Sequence, residues 1–330
     1  MSLTVRPAQP SVLPRCLEIL HGRYAITGTD EQSVLAYWTY LIESRAGVCL
    51  VVTDLSPCEA PRILVFAAGI FVSDDVVRGA LTTLPPHLGL QAARAWSSGR
   101  RMHLSRREIA QENARDGLNS VIIGYGTAPN LSPDVDRQAR ARMATAGVLM
   151  SLVGYRIKCS LQEGFGTEFH EDFVTTGRKV VRSFPVAAPV VPCRRDGPPT
   201  HLYGVSRDDR PEGALWWMFF NPPEPRLGLS AGEKDTLELA LESATDEEIA
   251  GRLHVSIWTV KKRWQKIYAR VEQVIPGLLF PAQQMGGSTP GQPSERRRHL
   301  LAYLRQHLEE IRPRASTDER SDAEPASPAV

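Results

Sequence analysis

The chain has almost no net charge. Its 39 Lys and Arg stand against 37 Asp and Glu over 330 residues, a formal +2. That excludes a protein that holds polyanions over its whole surface, so any such contact has to come from a local patch. Cysteine is sparse. Cys16, Cys49, Cys58, Cys159 and Cys193 are widely spaced and odd in number, with no C-x-x-C pair and no His/Cys cluster. A metal site is not expected from them, and reduced thiols in a cytosol are. No apolar run is long enough to cross a bilayer. The longest suspicious one, A-L-W-W-M-F-F at Ala214–Phe220, has the length of a strand. The N-terminus lacks a basic-then-apolar segment, so a cytoplasmic location is expected. The eight histidines are dispersed, and neither H-E-x-x-H nor G-x-S-x-G occurs. No catalytic residues, no metal and no cofactor are expected on these grounds.

What the chain does have is concentrated between Leu229 and Val271. Two short amphipathic helices are read there, broken at His254–Val255–Ser256. The first carries Ile249, Ala250 and Leu253 on one face, and Thr245 with Glu248 three residues on makes a capping box. Ser256 caps the second helix. That helix holds Lys261, Lys262, Arg263, Lys266 and Arg270 with no acidic residue up to Val271, while the first begins with Asp246, Glu247 and Glu248. Charge is sorted by helix, as a reader of the DNA major groove requires, because phosphates dominate affinity and the groove admits one helix.

These residues resemble the LuxR/FixJ-type helix-turn-helix. Its opening L-S-x-x-E-x-x-x-L falls at Leu229, Ser230, Glu233 and Leu237. Its E-I-A-x-x-L-x-[IV]-S-x-x-T-V-K falls at Glu248, Ile249, Ala250, Leu253, Val255, Ser256, Thr259, Val260 and Lys261. The resemblance covers some forty residues. It implies that Thr259, Lys261 and Lys266 lie near phosphates and that Val260, Lys262 and Gln265 face base edges, with Arg263 between them. Trp264 is read as core. Ser243 stands where the family usually has a glycine. A last helix from Ser294, with Leu300, Leu301, Leu304, Leu308 and Ile311 as its apolar stripe, replaces the family's closely linked fourth helix.

The first two-thirds alternates helical and strand-like patterns. Helices are expected at Ser11–Leu20, Glu31–Ser44, from Ser73, from Ser105 with Glu108 as a capping box, and from Ser132–Pro133 to about Val153. Strands are expected at Val48–Asp54 and Arg62–Val72, close enough to form a hairpin, and then at Leu118–Tyr125, Lys179–Phe184, His201–Val205 and Ala214–Phe220. A Pro/Arg-rich loop is read at 187–199. Asp54 ends a V-V-T-D strand but has no acidic partner and no crossover helix after it, so it is read as a turn residue and not as a phosphoacceptor.

The strand Leu118–Tyr125, the helix after it and F-H-E-D-F-V-T-T-G-R-K-V-V-R-S-F resemble the second half of a GNAT-type N-acetyltransferase domain. That family implies an acyl-CoA loop, [RQ]-x-x-G-x-[GA], between strand and helix. Here the segment reads G-Y-G-T-A-P-N-L-S-P-D-V-D. Its prolines lack N–H donors, and Asp134 and Asp136 oppose phosphate.

The expectation is therefore an α+β domain over 1–226, with a mixed, largely antiparallel and GNAT-like sheet. A small all-α helix-turn-helix domain follows over 227–312, and then a disordered tail over 313–330. The expected function is that of a bacterial LuxR-type transcription regulator without enzymatic activity. Its partner is double-stranded DNA, with a homodimer mate and a small-molecule or protein signal at the first domain left open. The alternative is a GNAT-type N-acetyltransferase with an appended DNA-binding module. A sigma-factor-like subunit is a third reading, but it lacks an aromatic-rich helical region upstream.

Overall fold

The structure is a computed structural model that describes residues 2–21, 29–55, 62–165, 170–184, 199–209, 214–280 and 293–315. The loop expected at 187–199 lies outside them except for its last residue, as does the tail from 316. The chain forms two compact units. The larger takes Met1–Leu152, Arg156–Asn221 and the end of the chain from Arg314, and the smaller takes Val153–Tyr155 and Pro222–Pro313.

The larger unit is one seven-stranded mixed sheet. Its strands are β1 (Leu3–Pro7), β2 (Gly47–Asp54), β3 (Arg62–Val72), β4 (Leu118–Thr127), β5 (Ile157–Phe165), β6 (Lys179–Ser183) and β7 (Pro199–Ser206), in the order β1-β2-β3-β4-β5-β7-β6. Neighbours are antiparallel except β4 and β5, which run parallel. The expected hairpin of β2 and β3 is present. The helices are α1 (Leu13–His21), α2 (Thr29–Glu43), α3 (Asp74–Thr82), α4 (Leu88–Ser97), α5 (Arg106–Ala114), α6 (Pro133–Arg142), α7 (Val148–Leu152), α8 (His170–Thr175) and α9 (Ala214–Phe220). A π-helical turn, Met143–Gly147, joins α6 to α7. Ser73 and Ser105 cap α3 and α5 with their hydroxyls, and Glu108 closes the box at α5.

Both faces of the sheet are covered, which is why β2 reads as an unbroken apolar run instead of an alternating one. Cys49 and Val51 point into a core shared with Leu20, Trp38, Leu41 and Ala93 of α1, α2 and α4. Leu50 and Val52 point the other way, onto Ala139 and Met143. Trp38 packs on Phe66 of β3, ring centroids 4.7 Å apart.

One strand expectation fails. Ala214–Phe220 is helix α9, with Trp216, Phe219 and Phe220 buried and Trp217 and Met218 exposed. Burial at i, i+3 and i+4 is helical spacing. Seven residues, apolar throughout, show no period from sequence.

The smaller unit contains α10 (Ala231–Leu241), α11 (Asp246–Arg252), α12 (Ile257–Val274) and α13 (Pro293–Gln306). Ser230 with Glu233 and Thr245 with Glu248 form capping boxes, and Ser256 caps α12. Ser243 takes φ +67° after α10, the left-handed conformation that glycine adopts without strain. Leu237, Ile249, Trp264, Ile267 and Val271 make the core with Leu300, Leu304 and Ile311. The stripe of the last helix is therefore spent inside its own unit, and it does not offer a free homodimer face. The carboxylate of Glu310 accepts hydrogen bonds from the amides of Arg226 and Leu227 and from the Tyr303 hydroxyl, at 2.9–3.1 Å.

Candidate functional site: a wedge between two strands and the cavity beside it

The parallel pair β4–β5 is joined only from Leu118↔Ile157 to Ile122↔Gln162. Beyond that point β4 continues beside β3 to Thr127, and β5 continues beside β7 to Phe165. The two strands part, and the ladder does not join Ile123–Thr127 to Glu163–Phe165. A register shift in the β3–β4 ladder lies at the same place. Ile122 faces Gly69 and Gly124 faces Ala68, so Ile123 is an extra, bulged residue that bends the strand away.

The glycines next to the bulge serve packing. A Cβ on Gly124 would lie 3.3 Å from Trp38 Cζ2, and one on Gly126 would lie 2.7 Å from Leu20 Cδ2. The G-Y-G stretch thus admits α1 and α2 to the sheet and is not a phosphate loop. Pro133 occupies the first turn of α6, and the Ser132 side chain makes no capping hydrogen bond. The pyrophosphate cradle implied by the GNAT resemblance is not matched here. The charge argument against an anion is nonetheless weaker than the sequence implies. Asp134 pairs with Arg137 at 3.7 Å and Asp136 with Arg140 at 3.0 Å, so each acid is offset by its own helix.

On the face of the sheet opposite α1, α2 and α4, a cavity of about 410 Å³ runs beneath α6, the π turn and α7. Leu50, Phe71, Ile122, Met143, Val148 and Leu152 give it apolar walls, and Ser120, Tyr125 and Gln162 bring polar groups from β4 and β5. Among the described residues its lining holds Arg137, Arg140 and Arg178 and no Asp or Glu. Arg178 is only 7% exposed. Its Nη1 donates to Thr176 Oγ1 at 3.1 Å, its plane lies 4.7 Å from the centre of the Trp216 ring, and its Nε–H has no partner. Burial pulls the guanidinium down to about 10. The Trp216 indole N–H donates to the Thr176 carbonyl, which holds that ring in place.

Two further groups flank the wedge. His170 Nδ1 lies 2.8 Å from the Tyr203 hydroxyl, whose pKa burial raises. On the α4 face, Glu163 of β5 accepts the amides of His87 at 2.6 Å and Leu88 at 2.9 Å, capping α4 from outside. Burial raises Glu163 to about 7 from 4.5, against the opposing effect of these two amides and of Arg182. The folded protein therefore keeps a proton that the unfolded chain releases. This contribution to stability is complete below about pH 4.5 and is lost as pH rises through about 7. His87 and His103, which burial lowers to about 4, act in the opposite sense as pH falls. The difference between parent and Glu163→Gln isolates the glutamate. The variant is expected to gain about 3 kcal/mol on the parent between pH 4.5 and 7.5, read from melting curves. Equal pH dependence in the two proteins would remove Glu163 as the titrating group.

The thiols are unreactive by environment. Burial raises Cys16 to about 12, Cys159 to about 11 and Cys49 further still. Among the described residues, no group of three His, Cys, Asp or Glu could hold a metal ion, and no helix is long and apolar enough to cross a membrane.

The residues expected to touch DNA all lie on α12, but not as one surface. Val260 is fully buried in the core and cannot face a base edge. Arg263 turns inward, its Nη1 3.3 Å from Thr236 Oγ1 on α10. The Thr259 hydroxyl is 2.9 Å from that of Ser256. Lys261, Lys262, Gln265 and Lys266 are exposed, and Lys262 Nζ lies 4.9 Å from the centre of the exposed Trp258 ring. Arg178, Gln162 and Trp216, which meet at the cavity, were not among the expected site residues. The only sequence signal for Arg178 is the T-T-G-R-K turn, where Gly177 takes φ +81° and sends the chain from α8 into β6.

No family model matches this chain, and no curated protein matches it. Similar solved structures do exist. One is described as histone acetyltransferase HPA2 and related acetyltransferase from Corynebacterium glutamicum, 15% identical, TM-score 0.36, over 65% of this chain and 99% of that one. NAA60 of Arabidopsis thaliana in complex with acetyl-CoA is 11% identical, TM-score 0.37, over 63% and 99%. FeeM, an N-acyl amino acid synthase from uncultured soil microbes, is 10% identical, TM-score 0.37, over 67% and 99%. At these identities the likeness concerns the course of the chain and transfers no residue role.

These structures correct the expected function. A non-enzymatic, LuxR-type bacterial transcription regulator, with double-stranded DNA, a homodimer mate and a signal as its partners, is overturned by neighbours described as an acetyltransferase, a protein in complex with acetyl-CoA and an N-acyl amino acid synthase.

Proposed function

We propose that the larger unit is an acyltransferase of the GNAT type, moving an acyl group from a thioester to an amine. The observation that carries the reading is the wedge. Two parallel strands part at Ile122 and Gln162, beside a cavity lined by side chains of both strands. Backbone amides and carbonyls on the facing edges require hydrogen-bond partners. An extended donor arm with amide groups of its own can pair with such an edge as an added strand does. Its reactive end then lies where the strands separate. The donor supplies the activated acyl group. The chain holds the arm along Ile123–Thr127, receives the acyl group in the apolar cavity and screens it from water. The Tyr203–His170 pair is a proton-carrying couple beside the point where the strands part, since Tyr203 faces Gln162 in the β5–β7 ladder.

The missing pyrophosphate cradle sets the form of the test. The full chain is incubated with acetyl-CoA and with acyl-pantetheine thioesters of two to twelve carbons, each with pooled amino acids and polyamines. Thiol release and new amides are followed by mass spectrometry. Amide formation above the uncatalysed rate, lowered at least tenfold by Tyr203→Phe, is expected. No amide from any thioester with folded protein would remove the reading.

A further inference from the structure

The cavity contains a cation that no described residue neutralises. Arg178 is more than nine-tenths buried and forms no ion pair among the described residues. The two neighbouring arginines each have an acid on their own helix, Arg137 with Asp134 and Arg140 with Asp136. Arg178 instead has a hydroxyl and an aromatic face, Thr176 Oγ1 and the Trp216 ring. These fix its plane without meeting its charge. A buried guanidinium left in that state carries a large desolvation cost, which a second buried charge of opposite sign offsets. Planar guanidinium and planar carboxylate match in geometry, and Arg178 is part of the cavity lining.

The remaining wall states what the rest of the ligand must be. Leu50, Phe71, Ile122, Met143, Val148 and Leu152 are apolar and open to one space of about 410 Å³. At roughly 30 Å³ for each water-sized group, that space has room for a chain of about thirteen carbons. Among the described residues, no carboxylate lines the cavity to repel a second one.

We propose that this cavity binds an aliphatic monocarboxylate, its carboxylate on Arg178 and its chain along the apolar wall. This deepens the acyltransferase reading of the same site by giving the class and length of the acyl group, with the free acid as the form that pairs with Arg178. Binding is measured without turnover, so the two readings can fail separately.

The test is calorimetric titration of the full chain with dodecanoate and with dodecanol, both below the concentration at which they aggregate. The unmodified protein is expected to bind dodecanoate at least tenfold more tightly than dodecanol. Arg178→Met should weaken dodecanoate binding by roughly 10- to 100-fold and change dodecanol binding by less than about threefold, with Arg178→Lys in between. Equal binding of the two ligands by the unmodified protein, or binding of neither, overturns the proposal even if Arg178→Met does not fold. Arg178-dependent binding of dodecanoate without transfer from any thioester would leave this inference standing and remove the catalytic one. Acyl transfer without a preference for the carboxylate would do the reverse.

Discussion

Gly89→Ala is expected to cost the larger unit about 3 kcal/mol or more, and to lower its melting temperature by roughly 6–12 °C. Gly89 is the second residue of α4. A Cβ there would lie 1.8 Å from the Ile123 carbonyl oxygen and 2.9 Å from the carbonyl carbon. Both atoms are backbone, at the bulge where β4 leaves β5, so no rotamer change relieves the clash. The helix has to move by more than an ångström. Its first amides, at His87 and Leu88, then lose Glu163, leaving a buried carboxylate without its donors. Gly251→Ala is the control. No atom lies within 4 Å of a Cβ at that position in α11, so the variant should stabilise its helix by up to about 1 kcal/mol. Calorimetric melting of both variants checks the pair. A Gly89→Ala protein that melts within 2 °C of the parent would mean that α4 does not rest on the bulge.

Leu304→Asp is expected to unfold the smaller unit, at about 4 kcal/mol or more. Leu304 is fully buried among Leu237, Ile249, Ile267 and Leu300, where a carboxylate would replace apolar contacts. The unit is short, so one such loss is a large fraction of its stability. Arg305→Asp, on the exposed side of the same helix, should change stability by less than about 0.5 kcal/mol. Helical circular dichroism and limited proteolysis separate the two. Unchanged melting and cleavage in Leu304→Asp would show that α13 is not part of the core.

Much of the local structure was legible because its causes are local. A serine or threonine followed three residues later by glutamate marks a helix start wherever it occurs, and Ser105, Ser230 and Thr245 all cap their helices this way. The hairpin of β2 and β3 followed from two apolar runs too close for a crossover. The sorted charges of α11 and α12 were equally visible, but they suggested a partner that the acyltransferase-like neighbours do not support. One element of that pattern fails on packing alone. Val260 belongs to the apolar period of α12 that also includes Trp264, Ile267 and Val271, and burial claims all four. Position in a motif could not say which way its side chain turns.

The amino-acid sequence by itself determined where many of the helices and strands begin, though not β1, β5 or α4, that the larger unit mixes the two, and that its sheet is largely antiparallel. These follow from capping chemistry, apolar period and connection length, all set within a few residues. Tertiary structure alone decided that Ala214–Phe220 is a helix, because an all-apolar heptad takes its form from what covers it. It also decided that β4 parts from β5, since the bulge at Ile123 exists only against β3 and α4. Above all it decided the environment of Arg178. In the sequence that residue is one arginine after a glycine. Only the folded chain takes its charge out of water, sets Trp216 and Thr176 around it, and withholds a carboxylate. Charge burial depends on residues some forty positions apart, and no local pattern encodes it.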